Sequence, residues 1–206
     1  YSSGLREAFV NEAANQGIEI VADEAFTADT NTDFSVQLDK AKDAGAELVF
    51  LPIYYQEASI ILKQASDKEF APVFFGCDGM DGILQVENFD VKLAEGLMLL
   101  TPFAADATDD LTVNFVKSYE EAYGETPIQF AADAYDAVYI IKAAMEEANV
   151  TPDMSASDIC DAMEGVMTQI KVDGLTGSNM SWTEDGEPEK DPKAVQVVDG
   201  AYKAME

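Results

Sequence analysis

The sequence contains no histidine. That absence removes the usual general base near neutral pH, the serine and cysteine dyads that depend on it, and most catalytic zinc sites. Cysteine is scarce as well. Cys77 and Cys160 lie far apart without CxxC spacing; they read as small buried side chains rather than a redox pair, with a bridge between them left open. Basic residues are few: twelve lysines and arginines against forty aspartates and glutamates give a formal charge of −28. Such a field repels phosphate backbones and anionic membrane surfaces, so nucleic acid is not an expected partner. The acids are spread along the chain and form no tail, as on a solvated surface. Long apolar runs are missing too. Those such as Leu48-Val49-Phe50-Leu51 fall far short of the ~20 residues that cross a bilayer. Nor is there an initiator Met or a charged-then-apolar leader before Tyr1-Ser2-Ser3-Gly4, as expected of an excised piece.

What is present suits a folded α/β protein. Of 206 residues, 48% are apolar, ample for a core. Over the first hundred residues, strand and helix patterns alternate. Leu5, Ala8, Phe9 and Ala13 share a helical face, Gly17 breaks it, and Ile18-Glu19-Ile20-Val21 reads as a strand. Asp33 is the expected N-cap of a second helix marked by Phe34, Leu38 and Ala41 and closed by Gly45. Leu48–Leu51 reads as a strand covered on both faces. Ala58, Ile61, Leu62 and Ala65 mark a third helix, and Val73–Phe75 and Leu97–Leu100 two more strands. This alternation predicts a doubly wound parallel sheet.

Beyond Thr101-Pro102-Phe103 the pattern becomes helix-rich. One helix carries the stripe Leu111, Phe115, Tyr119, Ala122. A longer one carries Ala134, Val138, Ile141, Met145 and Ala148, and a third, near Ser157–Gly165, carries Ile159, Met163 and Val166. The block lacks strands of its own, so its apolar faces need a sheet from elsewhere. Lys193–Val198 followed by Asp199-Gly200 reads as a strand entering a tight turn. The expected organisation is therefore a parallel-sheet lobe over residues 1–102, a helix-rich partial lobe over 103–182, and a return to the first over 183–206.

Ligands of open parallel sheets bind beyond the carboxyl ends of the strands. That rule selects Pro52-Ile53-Tyr54-Tyr55 after one strand and Gly76-Cys77-Asp78-Gly79 after the next. Tyr54 and Asp78 are then able to face one crevice, a phenol and a carboxylate suited to a ligand with an ammonium group and apolar surface. Gly76 and Gly79 would let backbone approach that ligand. The residues alone leave a second reading open, since an Asp beside Gly at a strand end is commonly a turn former. Other features read as structure. Asp29-Thr30-Asn31-Thr32-Asp33 opens like a calcium loop, but Phe34 stands where glycine is required and Lys40 where the bidentate glutamate belongs. Asp78 and Asp81 make a carboxylate pair without the histidine or phosphate loop that would define a reaction. Tyr119, Tyr123, Tyr135 and Tyr139 at helical spacing read as core, and Trp182 as a packing residue.

The order of elements resembles the leucine/isoleucine/valine-binding family of periplasmic binding proteins, type I. The resemblance is carried by Tyr1-Ser2-Ser3-Gly4-Leu5, Asp33-Phe34, Phe75-Gly76-Cys77-Asp78-Gly79 and Phe130-Ala131-Ala132-Asp133-Ala134-Tyr135-Asp136-Ala137, then Gly174-Leu175-Thr176-Gly177, Ser181-Trp182 and Asp185-Gly186-Glu187-Pro188. It implies the C-terminal portion of a two-lobed protein whose lobes close over a small amino acid, near Thr101–Phe103 and Trp182–Asp191. Tyr1 matches an aromatic that packs on the ligand's side-chain end, and Tyr54 the second-lobe tyrosine that lines the cleft. Asp78 matches the carboxylate, often glutamate, that holds the α-ammonium. Phe130 lies near an aromatic of the pocket wall. By the same resemblance the protein is extracytoplasmic, delivers its ligand to the membrane permease of an ABC importer, needs no cofactor or metal and is not an enzyme. A sensor domain on the same scaffold and a carboxylate-using α/β enzyme are the alternatives. A block exposing apolar helix faces is also expected to self-associate or exchange elements between copies.

Overall fold

The computed structural model describes residues 1–205. In chain order its elements are α1 (Ser2–Gln16), α2 (Ser35–Asp43), β1 (Leu48–Leu51), α3 (Tyr55–Asp67), β2 (Val73–Gly76), β3 (Met98–Thr101), α4 (Asp110–Tyr123), α5 (Gln129–Glu147), α6 (Ala156–Met167), β4 (Ser181–Trp182), β5 (Pro188–Glu189), β6 (Lys193–Val198) and β7 (Ala201–Ala204), with short 3-10 turns between. Two compact units divide the chain: Tyr1–Thr101 together with the residues from Ala194 onward, and Pro102–Lys193.

The first unit is built on a five-stranded sheet in the order β1-β2-β3-β6-β7. Strands β1, β2 and β3 run parallel, with Phe50 paired to Phe75 and Phe75 to Met98, while β6 and β7 form an antiparallel hairpin. Phe9 of α1 stacks on Phe50 at 4.3 Å between ring centroids, and Phe50 on Phe75 at 5.9 Å, so α1 covers that face. Helix α3 buries Ala58, Ile61, Leu62 and Ala65, as their spacing predicts. Each of the two large side chains contributes about 1.5–3 kcal/mol by leaving water. Asp199 and Gly200, at φ 53° and 74°, form the turn between β6 and β7, the left-handed pair that a two-residue hairpin loop requires.

Three local expectations are corrected. Ile18–Val21 is neither strand nor helix, and Ile18, Ile20 and Val21 are exposed; β-branched propensity makes no strand without a neighbouring ladder to complete its hydrogen bonds. Helix α2 begins one residue later than its cap pattern suggests, with Phe34 at the N-cap, and Asp33 instead accepts the Ser35 N–H at 2.9 Å. Strand β1 is covered unevenly, from exposed Leu48 to buried Leu51, because it forms the sheet's edge.

The second unit packs in two apolar clusters. Phe103, Ala132 and Leu175 gather Phe115 and Tyr135 around them, and Ala144, Ile170 and Val172 gather Met163, Val166 and Trp182. Trp182 is thus a packing residue. A buried carboxylate fixes the first cluster: Asp136 of α5 accepts the N–H groups of Leu175 and Thr176 and the Thr176 hydroxyl, each at 2.8 Å. Helix α5 corrects the predicted stripe. Its buried residues are Gln129, Ala132, Asp136 and Ala144, while Val138, Ile141 and Met145 are exposed. Beyond Gln129 in the first turn, alanines and one carboxylate hold the inner face, where the Gly174–Thr176 backbone comes close to Asp136; a Cβ on Gly174 would lie 2.5 Å from an Asp136 oxygen. The tyrosine reading is corrected in part, since Tyr123 and Tyr139 lie on the surface. Among the described residues no helix is long and apolar enough to cross a membrane.

Candidate ligand-binding site

Strands β1 and β2 are neighbours and parallel, so their carboxyl ends open at the same edge of the sheet. From the first end the chain passes through Pro52 and Ile53 to Tyr54, the N-cap of α3. From the second it enters a 3-10 turn, Asp78–Met80, capped by Cys77. Between these ends sits Tyr1, at the N-cap of α1. Its ring stacks on that of Tyr54 at 4.9 Å and 29°. Its hydroxyl donates to Asp78 Oδ1 at 2.7 Å and accepts the Gly79 N–H at 2.9 Å. Tyr1, Tyr54 and Asp78 therefore form one group, with Tyr1 joining the other two.

The Tyr1 hydroxyl is pushed well above the ordinary phenol range, first by burial and then by donation to Asp78, against a smaller opposing effect of the Gly79 N–H. It keeps its proton and remains a donor to Asp78 at any physiological pH. Asp78 is half-buried, and Tyr1 and Tyr54 are close to half exposed. The group thus presents to solvent a carboxylate held in place beside two stacked rings. Chemically, such an arrangement suits a cation carried on an apolar body: a carboxylate supplies charge and the rings supply surface and quadrupole.

The two glycines serve the protein itself, which corrects their expected role. A Cβ on Gly79 would lie 2.7 Å from the Tyr1 hydroxyl and 2.9 Å from the Ile53 carbonyl oxygen, while the space at Gly76 is filled by the fully buried Met80. Cys77 is buried and Cys160 exposed, and both are free thiols. Burial, aided by the charge of Asp78, pushes the Cys77 thiol up to about 11. Phe130, the fourth expected residue, belongs to the second unit, near the start of α5, and is 39% exposed. Asp81 is buried and bonded to Tyr202. Sequence reasoning missed Tyr202 and Asp136. Two acids within the apolar run Phe130–Ala137 were a signal for Asp136, whereas nothing in the sequence around Tyr202 marks it.

The first unit is thus an α/β layer on a sheet whose first three strands are parallel, with the tyrosine–carboxylate group at the strand ends. The sequence profile of the periplasmic binding protein family matches residues 1–201, and the chain belongs to that family. Among curated proteins it is 29% identical over 156 residues to the Leu/Ile/Val-binding protein homolog 3 of Brucella melitensis, covering 76% of this chain and 41% of that one. It is 24% identical over 148 residues to the leucine-, isoleucine-, valine-, threonine- and alanine-binding protein of Pseudomonas aeruginosa, covering 72% and 39%. Among solved structures, a leucine binding protein of Thermotoga maritima superposes over 100% of this chain and 56% of its own, with a TM-score of 0.82 and 24% identity. An ABC transporter substrate-binding protein of Desulfitobacterium hafniense, in complex with Leu, covers 98% and 56% with a TM-score of 0.71 and 22% identity. The chain spans about two fifths of the curated relatives' length.

Proposed function

We propose that the chain forms part of an extracytoplasmic solute-binding protein that captures a small amino acid, branched-chain or similar, for an ABC importer. The observation that carries this reading is the Tyr1–Asp78 hydrogen bond beside the Tyr1–Tyr54 stack, at the tips of two consecutive parallel strands. Asp78 receives the ligand's α-ammonium, and Tyr1 and Tyr54 pack against its apolar part. Phe130 is the further aromatic that the reading assigns to the ligand, as the family resemblance implies. In this reading residues 1–102 and 183–206 make the second lobe and 103–182 part of the first, and hinge closure buries the ligand. The membrane permease of the importer is the partner that receives it. The names of the Brucella and Pseudomonas relatives support the ligand class. The protein is a receptor without catalytic activity, and its chemistry is charge pairing and desolvation.

An ammonium in a closed cleft needs a paired carboxylate. Truncation by Asp78→Ala in the full-length protein is expected to weaken amino-acid binding by about 2–5 kcal/mol, the scale for breaking a buried charge pair. Isothermal titration with leucine, valine and alanine measures it, and an affinity equal to wild type removes Asp78 from the site. We also propose that copies of this chain associate through the exposed face of α5, where Val138 is 65% and Ile141 49% exposed.

A further inference from the structure

Asp81 is a buried carboxylate that the binding chemistry does not use. Its partner comes from β7, near the other end of the chain: the Tyr202 hydroxyl accepts the Gly82 N–H at 3.4 Å and donates to the Asp81 carboxylate. Asp81 in turn reaches the candidate site through its backbone, since its N–H donates to the Asp78 carbonyl at 2.9 Å, and the Met80 N–H donates to the Cys77 carbonyl at 3.0 Å. The turn is thus gripped from two sides. Tyr1 holds Asp78 and Gly79 on one side, and Tyr202 holds Asp81 and Gly82 on the other. Gly79 to Ile83 are all buried, so water does not replace a lost partner freely.

We propose that Tyr202 is a positioning residue for the candidate site, fixing through Asp81 the turn that presents Asp78. The alternative is a peg that merely docks the C-terminal hairpin. That hairpin is already docked without it: the Val197 N–H donates to Leu97 O at 2.8 Å, and the Gly96 N–H donates to Val197 O at 2.9 Å. Phenylalanine keeps the ring and removes only the hydroxyl that bonds to the turn.

Tyr202→Phe separates the two roles. By amide hydrogen exchange on the full chain, the Gly79, Asp81 and Gly82 amides are expected to exchange about tenfold faster than in wild type. The Val197 amide, which reports the hairpin's docking, is expected to keep its wild-type rate. Unchanged exchange at Gly79, or equal acceleration at Gly79 and Val197, overturns the proposal. Should Tyr202→Phe fail to fold, Asp81→Ala removes the same bond from the turn side and is read at the same amides. The consequence for ligand rests on Asp78 as the ammonium anchor, and it is measured separately. In the full-length protein, the ratio of affinities for leucine and its des-amino analogue 4-methylpentanoate is expected to fall in Tyr202→Phe. A loosened turn with an unchanged ratio supports the positioning role and rejects the anchoring role of Asp78.

Discussion

Gly79 carries much of the site's geometry without a side chain. Because a Cβ there would meet both the Tyr1 hydroxyl and the Ile53 carbonyl, Gly79→Ala is expected to destabilise the fold by about 1–3 kcal/mol through overpacking. Urea denaturation measures this, and the near-ultraviolet circular dichroism of the Tyr1–Tyr54 stack is expected to change with it. Cys77 offers a pH test. Its thiol is raised from an ordinary 9.0 to about 11, chiefly by burial. The neutral form is therefore favoured in the folded state, and its contribution to stability is full below about pH 9 and lost as pH rises through about 11. At pH 8 a thiol reagent is expected to modify exposed Cys160 quickly and Cys77 only after unfolding. At this scale the sequence was partly legible. Tyr54 and Asp78 followed from the rule about strand ends, which needs only local pattern. The roles of Gly76 and Gly79 did not, because they depend on which atoms of distant residues arrive beside them.

Among the elements, α3 and α5 form an instructive contrast. The apolar spacing of α3 marked the face it buries. In α5 the most regular apolar stripe lies outward, and the inner face is set by Asp136 and small residues that admit the Gly174–Thr176 backbone. Hydrophobic periodicity reports which face would be covered given a partner, and it is silent about which partner the structure supplies. Asp136→Ala leaves two backbone N–H groups and a hydroxyl without their acceptor. It is expected to cost about 3 kcal/mol in chemical denaturation, whereas Val138→Lys on the outer face should stay within about 0.5 kcal/mol. Helix α4 is held at its start by Asp109, which accepts the Thr112 N–H at 2.9 Å. That bond draws the Asp109 carboxyl below its usual value. Its stabilising effect is present above the ordinary carboxylate range and lost as pH falls through the lowered value. Asp109→Ala is expected to cost about 1 kcal/mol at neutral pH, by thermal or urea denaturation, and less in acid.

For the whole molecule, charge of one sign is the dominant long-range feature. With a formal −28 spread along 206 residues, compaction works against self-repulsion that salt screens. Raising ionic strength from about 0.01 M to about 0.15 M shortens the screening length from about 30 Å to about 8 Å and is expected to raise the melting temperature. Calorimetry at several salt concentrations checks it. The chain's path between the units adds an order to how the molecule is made. Strands β1, β2 and β3 share a sheet with β6 and β7, which follow them in the chain only after the second unit. In whatever order the chain is delivered from its N-terminal side, the parallel strands precede their hairpin by some ninety residues of the second unit. Until the hairpin arrives, β3 is an edge strand with unpaired backbone groups, the kind of edge that invites pairing with another chain.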